Sequence, residues 1–590
     1  MRRSMRQLGP VLKDAWRLSL PYFKSEEKLA ANALLFSIIA LNLAMVGMNV
    51  VLNFWNGAFY DSLQTRDWNS FVSLLFLYKK TPHGFLPGFC GIAAVYILVA
   101  VYSTYLNQWL QIRWRRWLTR RYLDDWLGDR VYYRMSLVAR PGGEGTDNPD
   151  QRISEDIRDF VDNTLSLGLD LLSNVVTLFS FVGILWSLSG AMKIFGFNIP
   201  GYMVWVALIY AVVGTWLTHL IGRPLARLSF VQQRREADFR FALARMRENT
   251  EGIALYHGED EEHGELEKRF GGVIENWWAI MRRTKALNAL TSGYGQIATI
   301  FPIVVAAPRY FSGAIQLGTL TRIASGFGQV QGAMSWFVSS YASLASWSAI
   351  VERLGSFERA IQEAKLHGGD GAERVKAGEA VTLDDVGLFL PDGKPLMEHA
   401  RLSLTPGEAT VISGASGSGK STLFRVLAGI WPYSRGRITL PAGSSMFLPQ
   451  RTYLPLGTLH RAITYPADAA TLPDGEVEEV LTAIGLGHFL PELEEHRNWA
   501  LSLSGGEQQR LAIGRALLLK PDWLFLDEAT ANLDPEAEQQ LYDLLRTRLP
   551  RTTVVSIAHR ESVARLHERR ILLKGGRLGD IGGPLTTAAE

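Results

Sequence analysis

Gly414-Ala415-Ser416-Gly417-Ser418-Gly419-Lys420-Ser421 fits the pattern G-x-x-x-x-G-K-[ST]. Glycines allow a tight loop whose successive backbone N–H groups point inward at phosphate oxygens. Lys420 is placed to reach β- and γ-phosphates, and the Ser421 hydroxyl to ligate Mg²⁺. The flanks agree with this. Ala409-Thr410-Val411-Ile412-Ser413 reads as a buried strand entering the loop, and Thr422-Leu423-Phe424-Arg425-Val426-Leu427-Ala428 as a helix leaving it. The positive N-terminus of that helix would face the phosphates.

Downstream motifs narrow the chemistry. Trp523-Leu524-Phe525-Leu526-Asp527-Glu528 is an apolar strand ending in two carboxylates, where an open α/β sheet presents its ligands. Asp527 suits the Mg²⁺ shell, and Glu528 suits the orientation or deprotonation of an attacking water. Val554-Val555-Ser556-Ile557-Ala558-His559 carries His559 to the same edge. Leu503-Ser504-Gly505-Gly506-Glu507-Gln508-Gln509-Arg510 opens another helix on a glycine turn and forms a second anion cradle. One nucleotide needs one cradle per subunit, so the second implies two subunits, each completing the other's site.

In this order the elements resemble the nucleotide-binding domain of ABC transporters, over about Val381 to Leu573. The resemblance implies ATP and Mg²⁺ as cofactors. Gly414, Ala415, Ser416, Gly417, Ser418, Gly419, Lys420, Ser421, Thr422 and Gln450 are then ATP-binding, with Ser421, Gln450 and Asp527 toward the metal. Lys420, Glu528 and His559 are catalytic, His559 as the switch histidine touching the γ-phosphate. Asp534 lies in the D-loop, and Ser504, Gly505, Gly506 and Glu507 form the signature that faces the other subunit. The family usually stacks an aromatic ring on adenine. Here Leu390 precedes Pro391, so either Leu390 or Phe389 takes that place.

The chain has 590 residues, 20% of them charged, and a formal net charge of +3, with mean hydropathy +0.04. That average conceals apolar runs near Ala31–Trp55, Pro87–Leu110, Leu165–Leu188, Gly201–Ile221 and Leu287–Phe311, with a more polar sixth at Leu320–Trp347. Each approaches the roughly 20 residues that cross a bilayer core as a helix. Soluble ABC ATPases carry no such spans. Basic clusters precede the first span (Arg2, Arg3, Arg6, Lys13, Arg17) and follow the second (Arg113, Arg115, Arg116, Arg120, Arg121) and fourth (Arg223, Arg227, Arg234, Arg235). The positive-inside rule places all three clusters, the N-terminus and the ATPase domain in the cytoplasm. Because these clusters flank spans and the net charge is small, no nucleic-acid partner is expected. The first apolar run starts far from Met1 and is too long for a cleavable signal. The one cysteine, Cys90, permits no intrachain disulfide.

The expected organisation is a cytoplasmic segment over residues 1–30 and a transmembrane domain over 31–350, whose helices extend into the cytoplasm, notably across Arg223–Lys285. A linker follows over 351–376, then the nucleotide-binding domain over 377–576 and a mobile tail over 577–590. The fold class is a membrane α-helical domain of about six transmembrane helices, exporter-type, joined to an α/β P-loop ABC ATPase domain.

Asn148-Pro149-Asp150-Gln151-Arg152-Ile153-Ser154-Glu155-Asp156 and Glu251-Gly252-Ile253-Ala254-Leu255-Tyr256-His257-Gly258 resemble segments of ABC subfamily D. Phe424-Arg425-Val426-Leu427-Ala428-Gly429-Ile430-Trp431-Pro432 and Pro449-Gln450-Arg451 fit the same group, and the membrane half is similar to SbmA/BacA-like peptide-uptake permeases. The resemblance implies a half-transporter working as a homodimer in a bacterial inner membrane. Its cargo would be polar or amphipathic (a peptide, a cobalamin-like molecule or another hydrophilic solute), moved inward, with an exporter or carrier of fatty acyl-CoA or a lipid-like substrate as the alternative. Polar groups at membrane depth belong on a water-filled cavity or against partner helices. Arg322, Gln329, Gln331, Ser335, Ser339, Ser340 and Ser343 in the sixth run, with Asp170 and Asn174 in the third, are the cavity candidates.

Overall fold

The computed structural model describes residues 2–81, 84–138, 148–194, 197–366, 371–467, 472–473 and 475–580. They form two compact units, Met1–Tyr122 with Asn148–Phe357, and Leu123–Asp147 with Glu358–Glu590.

The first unit is built on long helices: α1 (Arg2–Lys24), α2 (Lys28–Gln64), the short α3 (Trp68–Phe76), and α4 (Phe89–Leu127), whose last turn belongs to the second unit. After α5 (Val131–Val138), described below, come α6 (Pro149–Gln151), a wide π-type turn at Arg152–Asp156, and α7 (Ile157–Ser189). The unit continues with α8 (Tyr202–Glu248), α9 (Thr250–Tyr256), α10 (Glu259–Phe311), α11 (Leu317–Ser339) and α12 (Tyr341–Leu366), whose residues from Glu358 on belong to the second unit. Five helices are long and apolar enough to cross a membrane among the described residues, and they coincide with the first five apolar runs. Helices prevail because lipid offers backbone N–H and C=O groups no partner outside the segment. At 1.5 Å per residue α8 and α10, with 47 and 53 residues, reach about 70 and 80 Å. That is well beyond the roughly 30 Å of a hydrocarbon core, and the polar stretch Arg223–Lys285 lies on the end of α8, on α9 and on the start of α10. Two hairpins close span ends: β1 (Tyr78–Thr81) with β2 (Gly84–Pro87), and β3 (Ala191–Ile194) with β4 (Phe197–Pro200).

The sixth run, read as one span over Leu320–Trp347, is divided at Ser340 between α11 and α12. Its polarity has a packing explanation. Helix α11 touches α2, α7, α8 and α10, and its Ile323, Phe327 and Val330 are buried against Phe181 and Leu185 of α7 and Met203 and Ala207 of α8. Small residues permit this approach. A Cβ on Gly318 would strike the Gly57 carbonyl, and one on Gly326 would lie 3.3 Å from Leu185.

Across α8 and α10, the hydroxyls of Tyr210 and Tyr294 each donate to the other residue's backbone carbonyl, at 2.6 and 2.7 Å, with the rings stacked at 4.3 Å. The segment Asn148–Asp156 also acquires a structural role. The buried Asp156 carboxylate accepts from Arg152 at 2.6 Å and from Arg353 of α12 at 2.5 and 3.0 Å. This ties the start of α7 to α12 through charge-assisted bonds.

In the second unit β5 (Glu373–Gly378), β6 (Val381–Phe389), β7 (Pro395–Leu404) and β9 (Ser434–Pro441) form a four-stranded sheet in the order β5-β9-β6-β7. The main sheet joins β8 (Thr410–Gly414), β10 (Ser445–Leu448), β11 (Trp523–Asp527), β12 (Thr553–Ile557), β13 (Arg569–Lys574) and β14 (Arg577–Asp580) in the order β10-β11-β12-β8-β13-β14. Its first five strands run parallel, with β14 antiparallel at the edge. The helices are α13 (Lys420–Leu427), α14 (Leu459–Thr464), α15 (Glu476–Ala483), α16 (Trp499–Ser502), α17 (Gly505–Leu519), α18 (Pro535–Arg548) and α19 (Glu561–Arg565). Runs such as Leu524-Phe525-Leu526 are buried without alternation, as a parallel sheet covered on both faces requires.

Three expected boundaries shift. Helix α12 runs through the start of the expected linker to Leu366, and β5 begins inside its end. Residues 367–370 between them lie outside the described residues, as do 581–590 of the expected tail, whose first four residues instead form β14. Leu123–Asp147, assigned to the membrane domain from sequence, groups with the ATPase unit. Leu137 of α5 packs on the core that includes Ile412 and Phe424, and Arg130 Nη1 donates to the Ala428 carbonyl at 3.2 Å.

Candidate functional site

Strand β8 is buried from Thr410 to Ser413 and delivers the chain to the phosphate loop at Gly414. At that point a Cβ would meet the Leu573 carbonyl at 2.5 Å. Gly419, the N-cap of α13, has φ +101°, a conformation open to glycine and strained for other residues. Lys420 is buried, and its Nζ donates to the Gly414 and Ala415 carbonyls at 2.9 Å each, curling back over the loop. Burial holds its pKa below the usual lysine value, opposed by the charges of Glu528 and Asp527. Ala415, Ser416 and Gly417 are exposed at the loop's rim and Thr422 is buried beneath it, while the Ser418 hydroxyl is buried with no protein partner. A polar atom left so is an invitation to a phosphate oxygen.

Beside the loop, Ser421 Oγ donates to Asp527 Oδ1 at 2.9 Å. Burial raises the Asp527 carboxyl above its usual range, against the lowering effect of that hydrogen bond. Glu528 follows with φ +51°, a left-handed turn immediately past the strand end, and its N–H donates to the Ile557 carbonyl at 3.0 Å. Its carboxylate accepts from Gln450 Nε2 at 2.9 Å and lies 3.2 Å from His559 Nε2. The sheet thus gathers Lys420, Ser421, Gln450, Asp527, Glu528 and His559 at one edge. Hydroxyl, carboxylate and amide oxygens are the hard donors Mg²⁺ prefers, so Ser421, Asp527 and Gln450 fit that ion.

The Ser504 turn is organised separately. Ser504 Oγ accepts from the Glu507 N–H at 3.3 Å, and the Ser504 N–H donates to Glu507 Oε2 at 2.7 Å, a complete capping box. Ser504 and Gly505 are exposed at the start of the 15-residue α17, and the contacts at Gly505 and Gly506 run to Asn532 and Leu533. Asp534 caps α18 by accepting from Ala537 N–H at 2.9 Å, which lowers its pKa. Gln509 Oε1 accepts from Asn532 N–H at 2.9 Å, and Arg560 donates to the Leu533 and Ala531 carbonyls at 2.7 Å. Sequence reading did not single out Gln509 or Arg560 as the supports of this loop. Their positions next to the signature and to His559 were the available signal.

Phe389 and Leu390 are both half-buried. The Phe389 ring carries the Arg435 guanidinium at 5.3 Å and sits close over Gly387, so Phe389 already has a cation on one face.

In the membrane unit the cavity candidates part company. Arg322 is held by α2: its Nε donates to Asn53 Oδ1 at 3.3 Å, its carbonyl accepts from Asn53 Nδ2 at 3.1 Å, and its guanidinium lies 4.2 Å from the centre of the Phe54 ring. These contacts set Arg322 against α2. Gln331 donates to Ser335 at 3.2 Å within α11, and Gln329 is half-buried. Asp170 is exposed, with its carbonyl bonded by Asn174, and Ser339 and Ser343 are exposed while Ser340 is buried.

Models of two families match the chain: ABC transporter transmembrane region 2 over residues 18–311, and ABC transporter over 397–531. The inner membrane ABC transporter ATP-binding protein YddA of Escherichia coli (strain K12) is 32% identical over 92% of this chain and 94% of its own length. The chain belongs to the ABC transporters. A chloroplastic relative, ABC transporter D family member 2 of Arabidopsis thaliana, is 30% identical over 95% of this chain and 86% of its own. The lysosomal cobalamin transporter ABCD4 of Homo sapiens is 26% identical over 83% and 86%. A bacterial Atm1-family ABC exporter with ATP bound shares the fold at TM-score 0.64 and 18% identity, covering 93% of this chain and 94% of that one. The chain is accordingly an ATP-binding ATPase coupled to membrane transport.

Behind β12 lies a network that the motifs did not announce. The half-buried His567 ring meets the buried Ser556 Oγ and the Val563 carbonyl at 2.8 Å each, and the buried Tyr542 Oη meets Ser556 Oγ at 3.0 Å. Burial pushes the His567 pKa down to about 4. The unfolded chain, near the ordinary histidine value of about 6.5, takes up its proton first as pH falls. Stability from this group is therefore complete above about pH 6.5 and declines toward pH 4, by roughly 1.4 kcal/mol per pH unit. His567→Gln should flatten this acid limb of the ATPase unit's thermal midpoint, measured from pH 8 to 5. An unchanged limb would remove His567 as its cause.

Proposed function

We propose that the chain is a half-transporter acting as a homodimer in a bacterial inner membrane, with its N-terminus and ATPase domain in the cytoplasm. Its cargo is a polar or amphipathic solute of peptide or cobalamin-like kind, taken up at the cost of ATP. The carrying observation for the ATPase is the Glu528 carboxylate, held by Gln450 and 3.2 Å from His559, beside the Ser421–Asp527 pair. Glu528 is the base that orients water, His559 senses the γ-phosphate, and Lys420 with the loop N–H groups binds the phosphates. Ser421, Asp527 and Gln450 would hold Mg²⁺, which when bound neutralises phosphate charge.

Glu528→Gln should retain ATP binding and lower hydrolysis at least a hundredfold, trapping a closed dimer, whereas Lys420→Ala should weaken ATP binding itself. Phosphate release and equilibrium binding of a fluorescent ATP analogue separate the two. Wild-type hydrolysis by Glu528→Gln would sink the base assignment.

The exposed Ser504 turn, closed on its own capping box, supports a signature offered to a second copy. Two-fold symmetry then builds each ATP site from Lys420 of one chain and Ser504 with Gly506 of the other. Mixed dimers of a Lys420→Ala chain and a Ser504→Arg chain hold one intact composite site, and should recover measurable ATPase over either parent. No recovery in isolated mixed dimers would count against the shared site.

For the cargo, Gln329 and Gln331 on the helix that four others surround remain the candidates, with Ser335 and Asp170, and the cobalamin transporter among the relatives supports a hydrophilic solute. Gln329→Leu with Gln331→Leu should lower uptake of labelled peptide or cobalamin severalfold in sealed vesicles of known orientation. Normal uptake by that variant, or transport of fatty acyl-CoA alone by the wild type, would overturn the reading.

A further inference from the structure

The turn between α4 and α5, the end of α12 and the strand entering the smaller sheet enclose a cavity of about 580 Å³. No phosphate-loop or signature residue lines it. Its wall carries Arg130, Arg134, Arg374 and Lys365, against one carboxylate residue, Asp129. Lys365 is matched by Asp125 at 2.5 Å. The three arginines are matched differently. Arg130 Nη1 donates to the Ala428 carbonyl at 3.2 Å, Arg374 Nη2 to the Leu427 carbonyl at 2.7 Å, and Arg134 to the Asp129 carbonyl.

Two of those acceptors cap the C-terminal end of α13, whose dipole amounts to about half a negative charge. Three guanidinium charges exceed it. Each guanidinium has five N–H donors in a planar fork, so donors remain beyond the carbonyls each arginine serves. Arg130 and Arg374 are exposed and Arg134 is half-buried, which leaves the forks accessible. The backbone adds an independent sign. Asp129 and Arg130 are consecutive non-glycine residues in left-handed conformation, with φ +49° and +60°. Such strain persists where the surroundings hold it, and it concentrates at ligand sites. Here it turns the chain so that Arg130 and Arg134 both line the cavity.

We propose that this cavity binds a phosphate-bearing anion, as a second anion site at the opposite end of α13 from the phosphate loop. Arginine forks match phosphate oxygens two at a time, and the volume suits a small phosphorylated group. Helix α13 spans 8 residues, about 12 Å, from Lys420 to Leu427. An anion that draws Arg130 and Arg374 off the Leu427 and Ala428 carbonyls uncaps the helix that begins with Lys420 and Ser421. Occupancy therefore bears on ATP turnover. The same chemistry is offered by a soluble phosphorylated metabolite and by a phosphomonoester lipid headgroup.

The test is calorimetric titration of the full chain in detergent with inorganic pyrophosphate, the ATP site being filled beforehand with a non-hydrolysable ATP analogue and Mg²⁺. One pyrophosphate should bind per chain, more weakly as salt rises, and Arg374→Gln and Arg134→Gln should each raise Kd at least tenfold. Among the described residues Arg134 donates only within its own turn, so Arg134→Gln decides the matter even if Arg374→Gln fails to fold. The proposal is overturned if filling the ATP site abolishes pyrophosphate binding, or if the folded variants bind as the wild type does. A parallel titration in nanodiscs assigns the source. Competition by phosphatidic acid, but not by phosphatidylcholine, supports a lipid headgroup at this site, and undiminished pyrophosphate binding supports a soluble anion.

Discussion

The hydrogen-bond register of one parallel sheet is the constraint on which the ATPase chemistry rests. Asp527 on β11 pairs with Ile557 on β12, and Ile557 pairs with Ile412 on β8. Each strand therefore ends at the same edge, and the residues proposed to carry function lie there: Glu528 directly after β11, His559 two residues past β12, and the phosphate loop from the end of β8. Parallel strands need long crossovers, so groups more than a hundred residues apart in sequence are brought within hydrogen-bond distance, as Ser421 and Asp527 are. A one-residue slip would turn Asp527 and Glu528 to opposite faces. The buried apolar run Leu524-Phe525-Leu526, with Phe525 stacked on Phe447 at 4.4 Å, makes such a slip costly.

Strain is placed at the carboxylate proposed as the base. The left-handed Glu528 turns its carboxylate out of the strand direction toward Gln450 and His559, and its own N–H is satisfied by Ile557. A non-glycine residue in this region costs of order 1 kcal/mol and stays because the neighbouring bonds over-determine it. The Tyr542–Ser556–His567 network ties β12, the strand that delivers His559, to the residues behind it. Burial of Lys420 and Asp527 shifts both toward their neutral forms, which is the cost of a site kept for a highly charged substrate.

The membrane unit solves a different problem, the housing of polar residues among apolar helices. It does so by surrounding α11 with four helices and admitting them closely through glycines. Arg322 is matched by an amide and an aromatic face, and Asp156 by two arginines, so both charges are compensated within the unit. The Tyr210–Tyr294 exchange uses two hydroxyls to donate to carbonyls already engaged in helices, joining α8 to α10 without leaving a hydroxyl unmatched.

Much of this was legible along the chain, for a local reason. The phosphate loop is eight consecutive residues whose glycines and lysine act through their own backbone, and spans declare themselves by the length of an apolar run. The carboxylate pair and His559 were legible because they close apolar strands. What escaped the sequence depended on residues distant in it. Arg322 meets Asn53 across 269 positions, and nothing in either segment names the other. Arg560 and Gln509 act on backbone groups, which carry no signature. The assignment of Leu123–Asp147 to the ATPase unit follows from where Leu137 and Arg130 find their partners. Composition and motif determined which chemistry the chain carries and that it spans a membrane. The tertiary structure alone decided which polar groups pair with one another, because pairing depends on distance in space and periodicity reports only direction along an element.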